Sequence, residues 1–362
     1  MRMIYRNGSL EPYGKRPDNL KEEHRLSELE SSMDNSVARE SAPAILREHT
    51  KTPVHVRLFG DRIFNSVTFF LALFILALLF GLAIALVVSS FPAIRAFGLN
   101  FFVTSTWDPV NDQYGALPFI YGTFVSSFLA LIIAVPLSLG VALCLSEMAP
   151  DWLGHRLGFL VDLLAAIPSV VYGLWAVFIM GPWIRDYLEP PLAHYFGFLP
   201  LFQGPKVSVG MLSAGVVLAI MIIPYISSVC TDVFRVVPHT QREAALALGA
   251  TKWEMVKTAV IPYGMTGVIG AIILGLGRAL GETIAVAMVI GNSAQISASL
   301  FKPAATLASV IANEFAEATS DMYVAALIEL GLVLLILGVA LNVVARALVL
   351  GVQQRRYREV GK

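Results

Sequence analysis

Arg278 and Glu282 are the residues of this 362-residue chain whose chemistry fits least with their surroundings. They stand in Gly275-Leu-Gly277-Arg278-Ala-Leu-Gly281-Glu282-Thr283, inside a long apolar run. An ionised side chain at the centre of a bilayer costs at least about 2.5–3.5 kcal/mol on insertion scales, so such groups face a protein interior, paired or lining a path. Four positions apart on a helix, the two would share a face and reach each other. Two readings stay open. The pair fixes helix packing, or Arg278 offers its guanidinium donors to a passing anion while Glu282 holds it when the path is empty. Gly277 and Gly281 form a small-xxx-small pair that predicts close helix contact. The stretch imitates a dinucleotide fingerprint, but no strand precedes it and Leu280 stands where the third glycine belongs, which excludes that chemistry.

A second polar interruption covers 238–262, from Pro238-His-Thr-Gln-Arg-Glu243-Ala244-Ala245 through Gly249 to Ile261-Pro262. Its pattern predicts a helix, a turn and a helix. Ala244 to Leu248 are strong helix formers, Gly249 suits a left-handed cap, and Trp253 to Val260 restarts a helix that Pro262 closes. A partly apolar helix pair projecting from a membrane protein asks for a protein partner with a groove.

The elements that must position these clusters are apolar runs. A transmembrane helix needs roughly 20 predominantly apolar residues. Six such runs appear, at 63–88, 116–145, 157–180, 209–230, 266–290 and 323–350. Positive residues are retained on the cytoplasmic side. Lys and Arg crowd into the N-terminal tail (1–62), the loop carrying Arg235, Arg242, Lys252 and Lys257, and a basic C-terminus (351–362) with Arg355, Arg356, Arg358 and Lys362; both termini are therefore expected in the cytoplasm. The remaining loops, with Arg95, Arg185, Lys206 and Lys302, should face outward. There Trp107 and Trp183 read as interfacial anchors. Asn313, Glu314 and Glu317 fit either contact with an external binding protein or a solvated helix face. Pro136, Pro168 and Pro224 should kink their helices, and Glu329 should pair or snorkel.

Composition agrees with a bilayer as solvent: 56% hydrophobic and 14% charged residues, no net charge, and a mean hydropathy of +0.70. Cys144 and Cys230 lack the spacing of a metal site or disulfide framework and read as packing residues. No metal-ligating or catalytic constellation is expected, and no nucleic-acid partner. The tail at 1–62 is polar, with no signal-peptide core, and is expected to be disordered apart from an optional amphipathic helix at 20–33.

Glu243-Ala244-Ala245, Gly249 and Ile261-Pro262 together resemble the EAA motif of ABC importer permeases. The resemblance implies a coupling helix seated in a cleft of an ATPase subunit, with Glu243 as the charged contact, Ala244 and Ala245 permitting close approach, Gly249 as the turn and Pro262 ending the motif. Ile167-Pro-Ser-Val-Val-Tyr-Gly-Leu-Trp175, Gly277 to Thr283 and Ile311-Ala-Asn-Glu-Phe-Ala-Glu317 resemble the permeases of the phosphate-specific ABC transport system over roughly 58–350, nearest to the C-type subunit of its two-permease pair. That implies an all-α, six-helix, type I (MetI-like) importer permease in a bacterial inner membrane, with Arg278 and Glu282 on the phosphate path. Its implied partners are a second permease, a cytoplasmic ATPase dimer holding the ATP and Mg, a periplasmic phosphate-binding protein, and lipid. The chain has no Gly-x-x-x-x-Gly-Lys-Ser/Thr loop and no cofactor of its own is expected. The alternatives are a permease for another oxyanion, or an ion-coupled secondary transporter, which would leave the Glu-Ala-Ala loop unexplained.

Overall fold

The computed structural model describes residues 3–6, 9–12 and 54–360, with side chains over 60–349 except 151 and 348. It divides into two units, Met1–Ala77 and Leu78–Lys362. In the first, β1 (Met3–Arg6) pairs antiparallel with β2 (Ser9–Pro12), Met3 opposite Pro12 and Arg6 opposite Ser9. This hairpin departs from the tail that composition predicts to be disordered. The intervening sequence, Asn7-Gly8, is a strong short hairpin signal. The candidate helix at 20–33 lies outside the described residues. Helix α1 (Val54–Phe97) begins in this unit and ends in the second.

The second unit is helical. Its long elements are α2 (Leu117–Met148), α3 (Asp151–Ala165), α4 (Ser169–Phe196) and α5 (Met211–Arg235). The short α6 (His239–Ala247) precedes α7 (Lys252–Gly281), α8 (Ile284–Val289), α9 (Leu307–Glu314) and α10 (Asp321–Val360). Among the described residues five helices are long and apolar enough to cross a bilayer, and the bent pair α3–α4 makes a sixth if counted as one span.

The expected third span is where the chain departs most from its pattern. Instead of one helix over 157–180, α3 and α4 meet at 86° across a break before Ser169. Pro168 lacks the N–H that would continue α3, and its neighbour is pushed out of helical geometry. Hydroxyls bond the last carbonyls of α3: Tyr172 donates to Leu164 O at 2.9 Å, beside the Ile167 N–H at 3.3 Å, and Tyr225, from α5, donates to Ala165 O at 2.9 Å. Such replacement is what lets a broken helix persist in a membrane protein.

The expected fifth span, 266–290, is likewise redrawn. α7 starts earlier and stops at Gly281, after which Glu282 is extended (φ −70°, ψ 124°) and α8 begins. Pro262 does not close a helix, as the sequence pattern suggested. It sits just after a π turn, Val256–Val260, where the bonding changes register, so its missing N–H is tolerated and α7 runs on.

The core lies between α2 and α5, where Ala130, Ala134 and Ala142 oppose a fully buried face of α5 including Val217, Leu218 and Ile222. Lipid is as apolar as leucine, so close packing rather than exclusion of water selects these small residues. A Cβ on Gly215 would lie 2.4 Å from Leu129 Cδ2, and one on Gly275 would lie 2.6 Å from Ile226 Cδ1. By contrast the α1 side chains within the second unit, such as Phe80 and Val88, are exposed.

Candidate functional site: a cationic cavity and a projecting helical loop

Arg278 lies in the last turn of α7. Its guanidinium carbon stands 4.1 Å from the centroid of the Tyr225 ring, a cation–π contact worth about 0.5–2 kcal/mol depending on desolvation. Tyr225 is itself held by the hydroxyl bond to Ala165, so the broken α3–α4 junction, α5 and Arg278 form one connected support. Arg278 Nε is buried with no hydrogen-bond partner. Glu282 does not supply one: no ion pair joins the two among the described residues. The helix ends at Gly281, so the four-residue spacing that would have put them on a common face no longer applies. The two therefore do not form the ion pair on which the packing reading relied.

Both residues instead border one cavity of about 1140 Å³, together with Tyr225, Asn342 and Arg346. Gly277 and Gly281 also line it, and a Cβ built on either would meet nothing within 4 Å. The small-xxx-small expectation is thus corrected. The glycines that bring α7 against α5 are Gly264, Gly267 and Gly275, whereas Gly277 and Gly281 leave space open beside Arg278. Two guanidinium groups and a carboxylate facing a common space can attract and orient an anion; they offer no nucleophile or metal cage.

The 238–262 loop keeps its helix–turn–helix plan. α6 ends at Ala247 with Leu248 as its cap, and Gly249 follows with a φ of +86°, the left-handed geometry that glycine adopts without strain. Thr251 then caps α7 reciprocally with Glu254, its Oγ1 accepting from Glu254 N at 3.3 Å while Glu254 Oε2 accepts from Thr251 N at 2.8 Å. The Thr-x-x-Glu signal was in the sequence and marks the restart two residues before Trp253. Glu243 and Ala244 are exposed and Ala245 is half-buried against the core. Leu248 is 90% exposed and Trp253 is also exposed, which leaves an apolar face bare on this loop.

At the other end of the bundle Glu314 accepts hydrogen bonds from Trp107 Nε1 at 2.8 Å and from the Tyr323 hydroxyl at 2.6 Å. Trp107 is packed edge-on against Tyr114 and Phe119. Glu314 is thus an internal latch and Trp107 is half-buried against an aromatic cluster, while Asn313 and Glu317 are exposed. In the adjoining loop the Asn111 side chain, followed by the Val110 N–H, holds the Asp108 carboxyl below its ordinary pKa, and burial raises that of the Tyr114 hydroxyl. Glu329 neither snorkels nor pairs as expected: it is 3% exposed, and its Oε2 has no partner.

The family described as binding-protein-dependent transport system inner membrane component matches residues 134–356. The chain belongs to that family. It is 45% identical over 303 residues to a phosphate transport system permease protein PstC of Pasteurella multocida, covering 83% of the chain and 94% of the relative. It is 48% identical over 286 residues to a protein of the same description from Xylella fastidiosa, covering 78% and 88%, and 41% identical over 326 residues to one from Mesorhizobium japonicum, covering 88% and 99%. Membership bears out the permease class that the resemblance implied. At the cavity, sequence reasoning missed Arg346, Asn342 and Tyr225. The first two interrupt an apolar helix four positions apart, a signal that was readable; Tyr225 carries none.

Proposed function

We propose that this chain is the permease subunit of an ATP-driven importer of phosphate, with the cavity at Arg278 as part of the path. The observation that carries the reading is Arg278 itself: a guanidinium seated on the Tyr225 ring, its buried Nε unpartnered, beside an open cavity that Arg346 also lines. Donors left unsatisfied in a low-dielectric site bind an oxyanion more strongly than donors already engaged by a carboxylate. The names of the relatives support phosphate as that anion. Glu282 would then shape the field at the cavity mouth without closing it.

In this reading the chain lies in the inner membrane with both termini cytoplasmic, forms the path with a second permease, and receives phosphate from a periplasmic binding protein. The loop of Glu243, Ala244, Ala245 and Gly249, leading through Pro262 into α7, meets a cytoplasmic ATPase that holds the ATP and Mg. The bare Leu248 and Trp253 side chains support that contact.

Arg278→Gln tests the proposal. Phosphate uptake by the reconstituted transporter should fall at least about a hundredfold, the loss expected when a buried charge-assisted contact of about 3 kcal/mol disappears, while the ATPase still co-purifies. Uptake close to that of the unaltered protein would sink the assignment.

A further inference from the structure

Arg242 belongs to α6, yet its guanidinium engages the body of the protein. Nη2 donates to Glu147 Oε1 and to Phe234 O, both at 2.7 Å, Nε donates to Glu147 Oε2 at 3.1 Å, and Nη1 donates to Val237 O. The two side chains are 13% and 6% exposed. Glu147 lies in the π turn that ends α2, Phe234 is in the last turn of α5, and Val237 is just beyond it. One side chain therefore binds α6 to the ends of two membrane-length helices. The final carbonyls of a helix lack intrahelical partners and favour a cation, and only the planar fork of arginine can serve them and a bidentate carboxylate together. Among the described residues the other ion pair, Arg185 with Asp186, joins sequence neighbours and is exposed. α6 has no fully buried residue of its own to fix it.

We infer that Arg242 is a positioning residue for coupling: through Glu147 and the last carbonyls of α5 it makes any displacement of α6 a displacement of α2 and α5 together. The inference rests on the ATPase-coupling reading of 238–262. It gives the ATPase a second route to the cavity besides α7, because α5 also carries Tyr225, which seats Arg278. Arg242 touches no substrate in this scheme.

The test uses the complete transporter in proteoliposomes, supplied with binding protein and phosphate. The variants are Glu147→Gln, which keeps shape and loses charge, Arg242→Gln, which loses the fork, Arg242→Lys, which keeps charge alone, and the double Gln variant. Co-purified ATPase, basal and stimulated ATP hydrolysis, phosphate uptake, and a cross-link to the ATPase from Leu248→Cys in a Cys144→Ser background are read out. Both single Gln variants should retain the ATPase and the cross-link while the stimulated-to-basal ratio and uptake fall about tenfold. Arg242→Lys should lie between, and the double variant should be no worse than the worse single one, since both break the same link. A ratio and uptake within about twofold of the unaltered protein in both single variants would overturn the inference. So would loss of the ATPase, which would make Arg242 a docking or folding residue. Absence of the cross-link in the transporter with native Arg242 and Glu147 would remove the coupling reading itself, and this inference with it.

Discussion

Tyr225 does two jobs with two parts of one side chain, and they separate by mutation. Its hydroxyl closes the broken α3–α4 junction and its ring face carries Arg278. Tyr225→Phe should cost about 1 kcal/mol of stability, the net value of one hydrogen bond, and leave phosphate uptake nearly unchanged. Tyr225→Leu should cost more and also lower uptake about tenfold, because the guanidinium loses its seat. Thermal unfolding of the purified complex and uptake in vesicles measure the two effects; equal uptake by the Phe and Leu variants would show that the ring does not position Arg278. A charge inside an apolar run announces itself, so Arg278 and Glu282 were legible from sequence. Their relation was not, because it depends on the helix ending between them. Arg346, near the end of a span, is where a snorkelling arginine also sits, and Asn342 is uncharged, so neither type by itself marks a cavity.

The elements show the same division between composition and geometry. Apolar runs located the membrane-length helices, and proline marked where one of them fails, but the 86° angle at that failure follows from tertiary contacts that no local pattern encodes. At Pro262 the local rule gave the wrong sign, since the π turn before it absorbs the missing N–H. Glycines divide into those that allow approach and those that leave room, and only the folded chain distinguishes them. Gly122 in α2 is the tightest of the first kind, for a Cβ there would stand 2.0 Å from Ala305 O. The segment it faces is pinned to α2 by Thr123 Oγ1, which accepts from Leu307 N at 3.0 Å. Gly122→Ala should therefore destabilise the permease by about 1–3 kcal/mol through overpacking, seen as a lower melting temperature. Gly277→Ala, with open space around it inside α7, should not lower that temperature and should raise it slightly, since alanine is the better helix former.

For the molecule as a whole, the proposed orientation makes opposite demands on two exposed sites. Val110 and Leu248 are each 90% exposed. In a Cys144→Ser background, Val110→Cys should react with a membrane-impermeant maleimide in intact spheroplasts, whereas Leu248→Cys should react only after lysis; the reverse pattern would invert the topology. Neither side chain packs against the rest of this chain, so labelling reports location rather than damage to its fold. Between those two faces runs α7, unbroken from Lys252 beside the projecting turn to Gly281 beside the cavity. At about 1.5 Å per residue it is a rod some 45 Å long. At Gly264, Gly267 and Gly275 its backbone lies directly against Phe234, Val233 and Ile226 of α5, so the contact has no α7 side chain between the two helices. Such a rod is a lever with a smooth fulcrum: a tilt of about 5° leaves the contact intact yet carries either end through roughly 2 Å. That is comparable to the displacement that makes or breaks a hydrogen bond to a phosphate oxygen.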